Sequence, residues 1–350
     1  MTYNIQPFVD NVEAILASHH LGGPGAYRRW NWQQGGQPVP GGVSSVPGGE
    51  KPRDLGLNAY GCADAANLLY TINHFPQDPA ERAGWVKTLQ SLQDPSTGLF
   101  NEATHHPIHT TAHCVASIEL FDALPLYPMQ GLAELRDPAR MEAFLDGLDW
   151  MGNPWIASHQ GAGLYVSLVL TGEVDLAWQE RYFAWLVREN DPHTGFWRRD
   201  RQAPVQYGGI QTRFPHLAGS FHYLFNHEYA RRPLMHPAAV IDTCLELRQS
   251  DPFPLGRGTG FAEVDWVFCL TRALRQSGHR FSAARAALED FAAGYIPFIL
   301  GLDPATHDGI NDLHQLFGIS CCLAELQTAL PGQLRSEKPL RLVLDRRPFI

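Results

Sequence analysis

Two kinds of segment alternate along the 350 residues. One kind is small and apolar nearly all round, with its few polar residues near its start. It occupies 61–72 (GCADAANLLYTI), 109–121, 158–170, 216–225, 261–274 and 311–326. The other kind sets charges on one face and apolar side chains on the opposite face. It occupies 79–93, 138–151, 176–190, 236–249 and 281–300, with 5–19 as a sixth member. A helix apolar on every side is buried, and one with a single apolar stripe lies on the outside. Six of each in alternation predict an all-α protein, a single (α/α)6 toroid domain over residues 1–350 with inner and outer helices. No run of period-two strands competes, although RLVLD at 341–345 predicts one short strand.

Punctuation supports this division. Three outer segments end in QDPSTGLF (93–100), NDPHTGFW (190–197) and LDPATHDG (302–309), about two helical hairpins apart. Asp-Pro followed by Thr and Gly stops a helix and turns the chain. Residues 33–54 are different, a long Gly/Pro-rich loop after Trp30 and Trp32, of a length that forms lids or rims, or is mobile.

The turn after an outer helix, with Gln93, Asp94, Gly98 and Phe100, and again in part with Asp191, Gly195 and Trp197, resembles the repeats of terpenoid cyclases and protein prenyltransferases. It is similar as well to helix-ending turns of carbohydrate-active (α/α)6 enzymes. The resemblance implies the toroid architecture. The acid motif Asp-x-Asp-Asp of class II terpenoid cyclases is absent, and the metal-binding Asp-x-Cys of protein prenyltransferases is not expected.

Composition narrows the partners. Hydrophobic residues make up 44% and charged residues 18%, enough for a large core. The formal net charge is −9 without a Lys/Arg run, which argues against nucleic acid and anionic membranes as partners. The N-terminal stretch reads as an amphipathic helix and not a leader. The six cysteines, Cys62, Cys114, Cys244, Cys269, Cys321 and Cys322, form no CxxC pair, and reduced thiols of a cytoplasmic protein are expected.

The candidate chemistry gathers at the starts of the inner segments. If these helices run parallel, their N-termini share one mouth, where exposed amides favour anionic groups. The candidate acids, bases and nucleophiles there are Asp64, Glu102, His109, His113, Glu263 and Asp265. Candidate substrate-binding residues are Asn67, His159, His216, His222, Asp312 and His314, with the aromatic rings of Trp30, Trp32, Trp197 and Trp266. Trp155 and Tyr207 also fall at loops or helix starts, and WRRDRQ (197–202) reads as a solvated loop. These residues could instead cap helices and satisfy buried amides. Capping needs one short polar residue per helix, which does not account for so many histidines.

The segment NEATHHPIHTTAHC (101–114) is the densest. An i, i+4 pair such as His109 and His113 can ligate a metal, but no His-Glu-x-x-His occurs and spacing fixes no third ligand, so neither a metal nor a cofactor is expected. No phosphate loop, dinucleotide fingerprint or nucleophile elbow is present.

The expected function is a carbohydrate-active enzyme acting on a small-molecule or oligosaccharide substrate. A glycoside hydrolase would draw two carboxylates from Asp64, Glu102, Glu263 and Asp265. A lyase or epimerase would use His109, His113 or His222 to carry the proton. The alternatives are a terpenoid-cyclase or prenyltransferase-like protein acting on an isoprenoid, and a non-catalytic binding or scaffold toroid.

Overall fold

The computed structural model describes residues 1–33, 53–347 and 349. Most of the Gly/Pro-rich loop, 34–52, therefore lies outside the described residues. At its base the Gln33 carboxamide donates to the Arg53 carbonyl and accepts from the Arg53 amide, both at 2.8 Å.

Helix accounts for 58% of the residues and strand for 5%, so the fold is all-α. Each predicted helical segment is a helix: α1 (Gln6–His19), α2 (Ala59–Thr71), α3 (Pro79–Ser91), α4 (Pro107–Glu119), α5 (Pro138–Gly147), α6 (Pro154–Val169), α7 (Leu176–Glu189), α8 (Phe214–Tyr229), α9 (Pro237–Ser250), α10 (Ala262–Gln276), α11 (Phe281–Leu300) and, after the four-residue α12 (Asp308–Asn311), α13 (Leu313–Ala329). Several start in the same way. A proline sits in the first turn of α3, α4, α5 and α6, where its missing N–H costs nothing, and the residue before it caps the helix. Asp78, His106, Asp137 and Asn153 accept amide hydrogens from the first turns of these helices.

The expected strand at 341–345 is a correction. Residues Val343–Arg346 form one helical turn, α14. The alternation of that stretch suits a strand, but one turn of helix buries Val343 and Leu344 while Asp345 pairs with Arg272 and Arg346 with Glu119. Strands occur elsewhere. β1 (Tyr3–Asn4) pairs in parallel with β4 (Leu334–Arg335), and β2 (Val205–Tyr207) pairs antiparallel with β3 (Ile210–Thr212).

By packing, the chain divides into two compact units. The first comprises Met1–Leu92, Pro254–Val267 and Arg285–Val343. Its α2 is buried along almost its whole length and packs on α13, while α3 buries only Trp85 and Leu89. The buried Arg29–Asp312 pair, with N···O distances of 2.7 and 2.9 Å, ties the segment before the loop to the cap of α13. Asn311 holds the same segment by accepting from the amides of Asn31 and Trp32 and donating to the Trp32 carbonyl.

The second unit comprises Gln93–Phe253, Phe268–Ala284 and Leu344–Ile350. Here α6 lies between α4 and α8. Small residues set the spacing. A Cβ at Gly163 would lie 3.2 Å from Ile108, one at Gly219 would lie 2.9 Å from the Pro154 carbonyl, and one at Gly161 would overlap the Tyr223 hydroxyl.

Two of the Asp-containing turns in this unit are structural copies. Asp94 accepts from the amides of Ser96 and Thr97, and Asp191 from those of His193 and Thr194. Gln93 donates its amide to the Gly98 carbonyl at 2.7 Å, and Asn190 donates to the Gly195 carbonyl at 2.8 Å. Each closes as a bridge, Gln93 to Phe100 and Asn190 to Trp197. The aromatic residue then gives its N–H to the next buried helix, Phe100 to Thr111 of α4 and Trp197 to Ser220 of α8. The third copy keeps the Asp303 bonds to Ala305 and Thr306 but leads into α12.

Gly98 and Gly195 both have φ of 73°, the left-handed region that a side chain resists. A Cβ on Gly98 would also overlap the Pro128 carbonyl oxygen. Gly98→Ala is therefore expected to cost about 2–4 kcal/mol, the sum of the left-handed penalty and overpacking. Gly172 has φ of 70° with nothing near its missing Cβ, so Gly172→Ala should cost only about 1–2 kcal/mol. Chemical denaturation of the two variants checks the difference; equal losses would contradict the close approach at Gly98.

Candidate functional site

The second unit brings four imidazoles together. His109 on the first turn of α4, His159 on α6 and His222 on α8 come from three adjacent helices. The ring centroids of His109 and His159 are 4.1 Å apart, and those of His159 and His222 are 4.8 Å apart. His105, in the loop before α4, stacks on His109 with centroids 4.9 Å apart and planes 13° from parallel. One nitrogen from each of His109, His159 and His222 lies within 4.8 Å of the others. His109 and His222 are buried and His159 is half-buried.

Hydrogen bonds fix which nitrogens are basic. His222 Nδ1 is 3.0 Å from the Ala218 carbonyl, an acceptor only, so Nδ1 carries the proton and Nε2 the lone pair. Ser158 agrees with this assignment. Its hydroxyl donates to the Trp155 carbonyl at 2.7 Å and so offers its oxygen to His222 Nδ1 at 3.0 Å. Burial lowers the pKa of His222 to about 3, so this ring is neutral.

A second set of bonds orders His105. The Thr104 hydroxyl donates to the Glu102 carboxylate, which also accepts the Thr104 amide at 2.8 Å. The hydroxyl oxygen is then left to accept from His105 Nδ1 at 2.7 Å, which makes Nε2 the basic atom. Trp155 stands at the edge of the cluster, half-buried, with its ring 6.5 Å from His159 and 5.8 Å from Tyr207. Phe349, near the C-terminus, packs its ring against His109 at 5.0 Å and His222 at 5.6 Å.

The other candidates lie elsewhere. His113, also on α4, receives the buried Arg347 guanidinium at its Nδ1, 3.2 Å away. His216 pairs with the Ala203 carbonyl at 2.9 Å, and burial lowers its pKa. Trp197 is in the core, with its indole N–H given to the Leu186 carbonyl at 2.7 Å. The stretch read as a solvated loop is in part the opposite: Arg198 is buried and pairs with Glu189 and Asp146.

In the first unit, Asp64 is fully buried and meets His314 Nδ1 at 3.2 Å. Asn67 donates to the Ala63 carbonyl within its own helix. Asp312 and Trp30 belong to the strut around Arg29, with the Arg29 guanidinium 4.3 Å above the Trp30 ring, and the Trp32 carbonyl accepts from Asn311. Trp266 is fully buried. Glu263 accepts from the amides of Gly256 at 3.0 Å and Gly258 at 3.1 Å. Burial raises its pKa, against the pull of those amides. Asp265 is buried, and neither carboxylate oxygen has a hydrogen-bond partner among the described residues. Burial, then the neighbouring charge of Glu263, raises its pKa well above the usual range.

Against that expectation, one triplet, Asp242-Thr243-Cys244, does have the Asp-x-Cys form. Here Asp242 is turned to His279 and Arg280 while Cys244 is buried and its thiol pKa is raised by desolvation.

Sequence reasoning named His109, His159, His222 and Glu102 but gave no role to Thr104, Ser158 or Phe349. A Thr between Glu102 and His105 was the readable sign of the first; the other two needed the fold.

No protein-family model, no curated protein and no solved structure matches this chain. The geometry of its own side chains carries the functional argument.

The sign of the pH effect at Asp265 follows from its raised pKa. The unfolded chain loses this proton near pH 4 while the folded protein retains it, so the group's contribution to stability falls as pH rises from about 4 toward the folded pKa. Asp265→Asn has no proton to lose. The melting-temperature difference, variant minus native, should move in the variant's favour from pH 4 to pH 8; a difference independent of pH would contradict the buried, protonated acid.

Proposed function

We propose that this protein is a carbohydrate-active enzyme of the lyase or epimerase kind. It would move a proton at a sugar carbon beside a carboxylate or carbonyl group, using His105, which stacks on the imidazole cluster of α4, α6 and α8. The observation that carries this reading is the Glu102–Thr104–His105 relay. A general base needs a defined tautomer held by a third group. The relay supplies one, with His105 Nε2 as the base and Glu102 able to stabilise the imidazolium that forms.

The half-buried Trp155 ring beside Tyr207 offers a flat apolar face for a pyranose ring, with the imidazoles at one side for its polar groups. A hydrolase reading has less support. It needs two carboxyl groups facing each other across the scissile bond, about 5–9.5 Å apart. Glu263 is bound to backbone amides and Asp265 is buried two positions further along α10, while Asp64 is engaged with His314. The isoprenoid reading has less support as well, because Trp197 and Trp266, which would wall an apolar pocket, are packed in the core. The toroid remains part of the proposal, supported by the alternation of buried helices with helices of one buried face.

The test is a panel of uronate-containing oligosaccharides and hexosamines, with isoprenoid diphosphates in parallel. Product would be followed by ultraviolet absorbance of unsaturated sugars and by deuterium uptake from heavy water. His105→Ala and Glu102→Gln should each lower kcat by about 10²–10⁴ without loss of helical circular dichroism. Neither signal from any saccharide with the native protein would end this reading, and turnover of an isoprenoid diphosphate would replace it.

A further inference from the structure

We propose that His109, His159 and His222 form a binding site for one divalent transition-metal ion of the zinc class. The sequence alone predicts no metal, because the three ligands are some fifty to sixty residues apart on separate helices and match no spacing motif. Packing supplies what spacing could not.

Three observations support the site. The first is convergence. A ligand nitrogen from each ring lies within 4.8 Å of the other two. Tetrahedral zinc with Zn–N bonds of about 2.1 Å holds its nitrogens about 3.4 Å apart, so small ring rotations close the set without moving a helix. The second is orientation. The Nδ1 proton of His222 goes to the Ala218 carbonyl, backed by the Ser158 oxygen, which leaves Nε2 as the donor atom. A metal-bound histidine is held in this way, with its other ring nitrogen on a carbonyl or hydroxyl. The third is rigidity. Each ligand stands on a long helix, and the glycines at 161, 163 and 219 keep these helices in close contact.

The donor set selects the ion. Three imidazole ligands without a carboxylate suit zinc, cobalt or copper and do not suit calcium or magnesium, which take oxygen ligands. Three protein ligands leave a fourth position for water or an oxygen of a substrate, as in catalytic and not structural zinc sites. Phe349 covers His109 and His222 on one side, an apolar wall that would restrict that fourth position. His105, stacked on His109 and ordered by Thr104, lies outside the ligand set and would keep its role as base. The metal site does not depend on the substrate being a sugar.

The test uses the full-length protein and zinc alone, read by calorimetry and by metal retained after gel filtration. The native protein should retain one equivalent, and cobalt in its place should give the visible absorption of a tetrahedral site. His159→Ala, a half-buried position, should weaken zinc at least about 100-fold, and so should His222→Ala if circular dichroism shows it folded. His105→Ala should bind zinc as the native protein does. No stoichiometric zinc in the native protein, or equal zinc in the native, His159→Ala and His222→Ala proteins, would overturn the proposal. Loss of zinc in His105→Ala with retention in the other two would overturn it as well. Because the readout is metal and not turnover, a failed substrate screen leaves this result standing, and the reverse holds too.

Discussion

The close approach of α4, α6 and α8 is the constraint on which the candidate site depends. Gly161, Gly163 and Gly219 stand where a single methyl group would meet Tyr223, Ile108 or the Pro154 carbonyl. Packed interiors have no slack for such a group, so the helices could not remain this close with larger residues. That spacing is what allows rings on three different helices to touch. Moving α6 outward by the width of a methyl group would separate His159 from both His109 and His222 while leaving each helix intact.

The height at which those rings meet is set elsewhere, by the turns. At Gln93–Phe100 and Asn190–Trp197 the Asp side chain pins the turn's own amides, and the following aromatic residue hands its N–H to a hydroxyl on the next buried helix. A helix that is hydrogen-bonded to the preceding turn cannot slide along its axis by a residue without breaking that bond. The same device used twice, before α4 and before α8, fixes two of the three histidine-bearing helices. The first unit uses charge for a related purpose. The Arg29–Asp312 pair is buried and bidentate, and losing either partner would strand a charge in the core, a cost of about 3–5 kcal/mol.

Buried polar groups among the described residues differ in how they are held. Glu263 accepts from backbone amides, and one oxygen of Asp64 meets His314. Asp265 has no hydrogen-bond partner among the described residues and is kept neutral by its surroundings. His222 on α8 and His105 before α4 differ from these, because the bonds of His222 to Ser158 and the Ala218 carbonyl, and of His105 to Thr104, orient each ring through Nδ1. A ring oriented through one nitrogen by a carbonyl or hydroxyl is the pattern of a binding group.

The sequence by itself determined the all-α class, the position of each long helix and the Asp-containing turns. These are local properties, written in apolar periodicity, proline at first turns and side chains that bond to amides two or three residues away. It misread 341–345 as a strand, because alternation over five residues cannot register the distant Arg272 that pairs with Asp345. It ranked Asp265 with the catalytic acids, since a carboxylate at a helix start looks the same whether the helix start is open or sealed. It could not tell that His109 meets His159 and His222 while His113, one turn along the same helix, meets Arg347. Which of two neighbouring histidines joins a cluster depends on the rotation of a helix about its axis and on what packs against it. Those quantities arise only when residues distant in the chain come together, so the tertiary structure alone decided them.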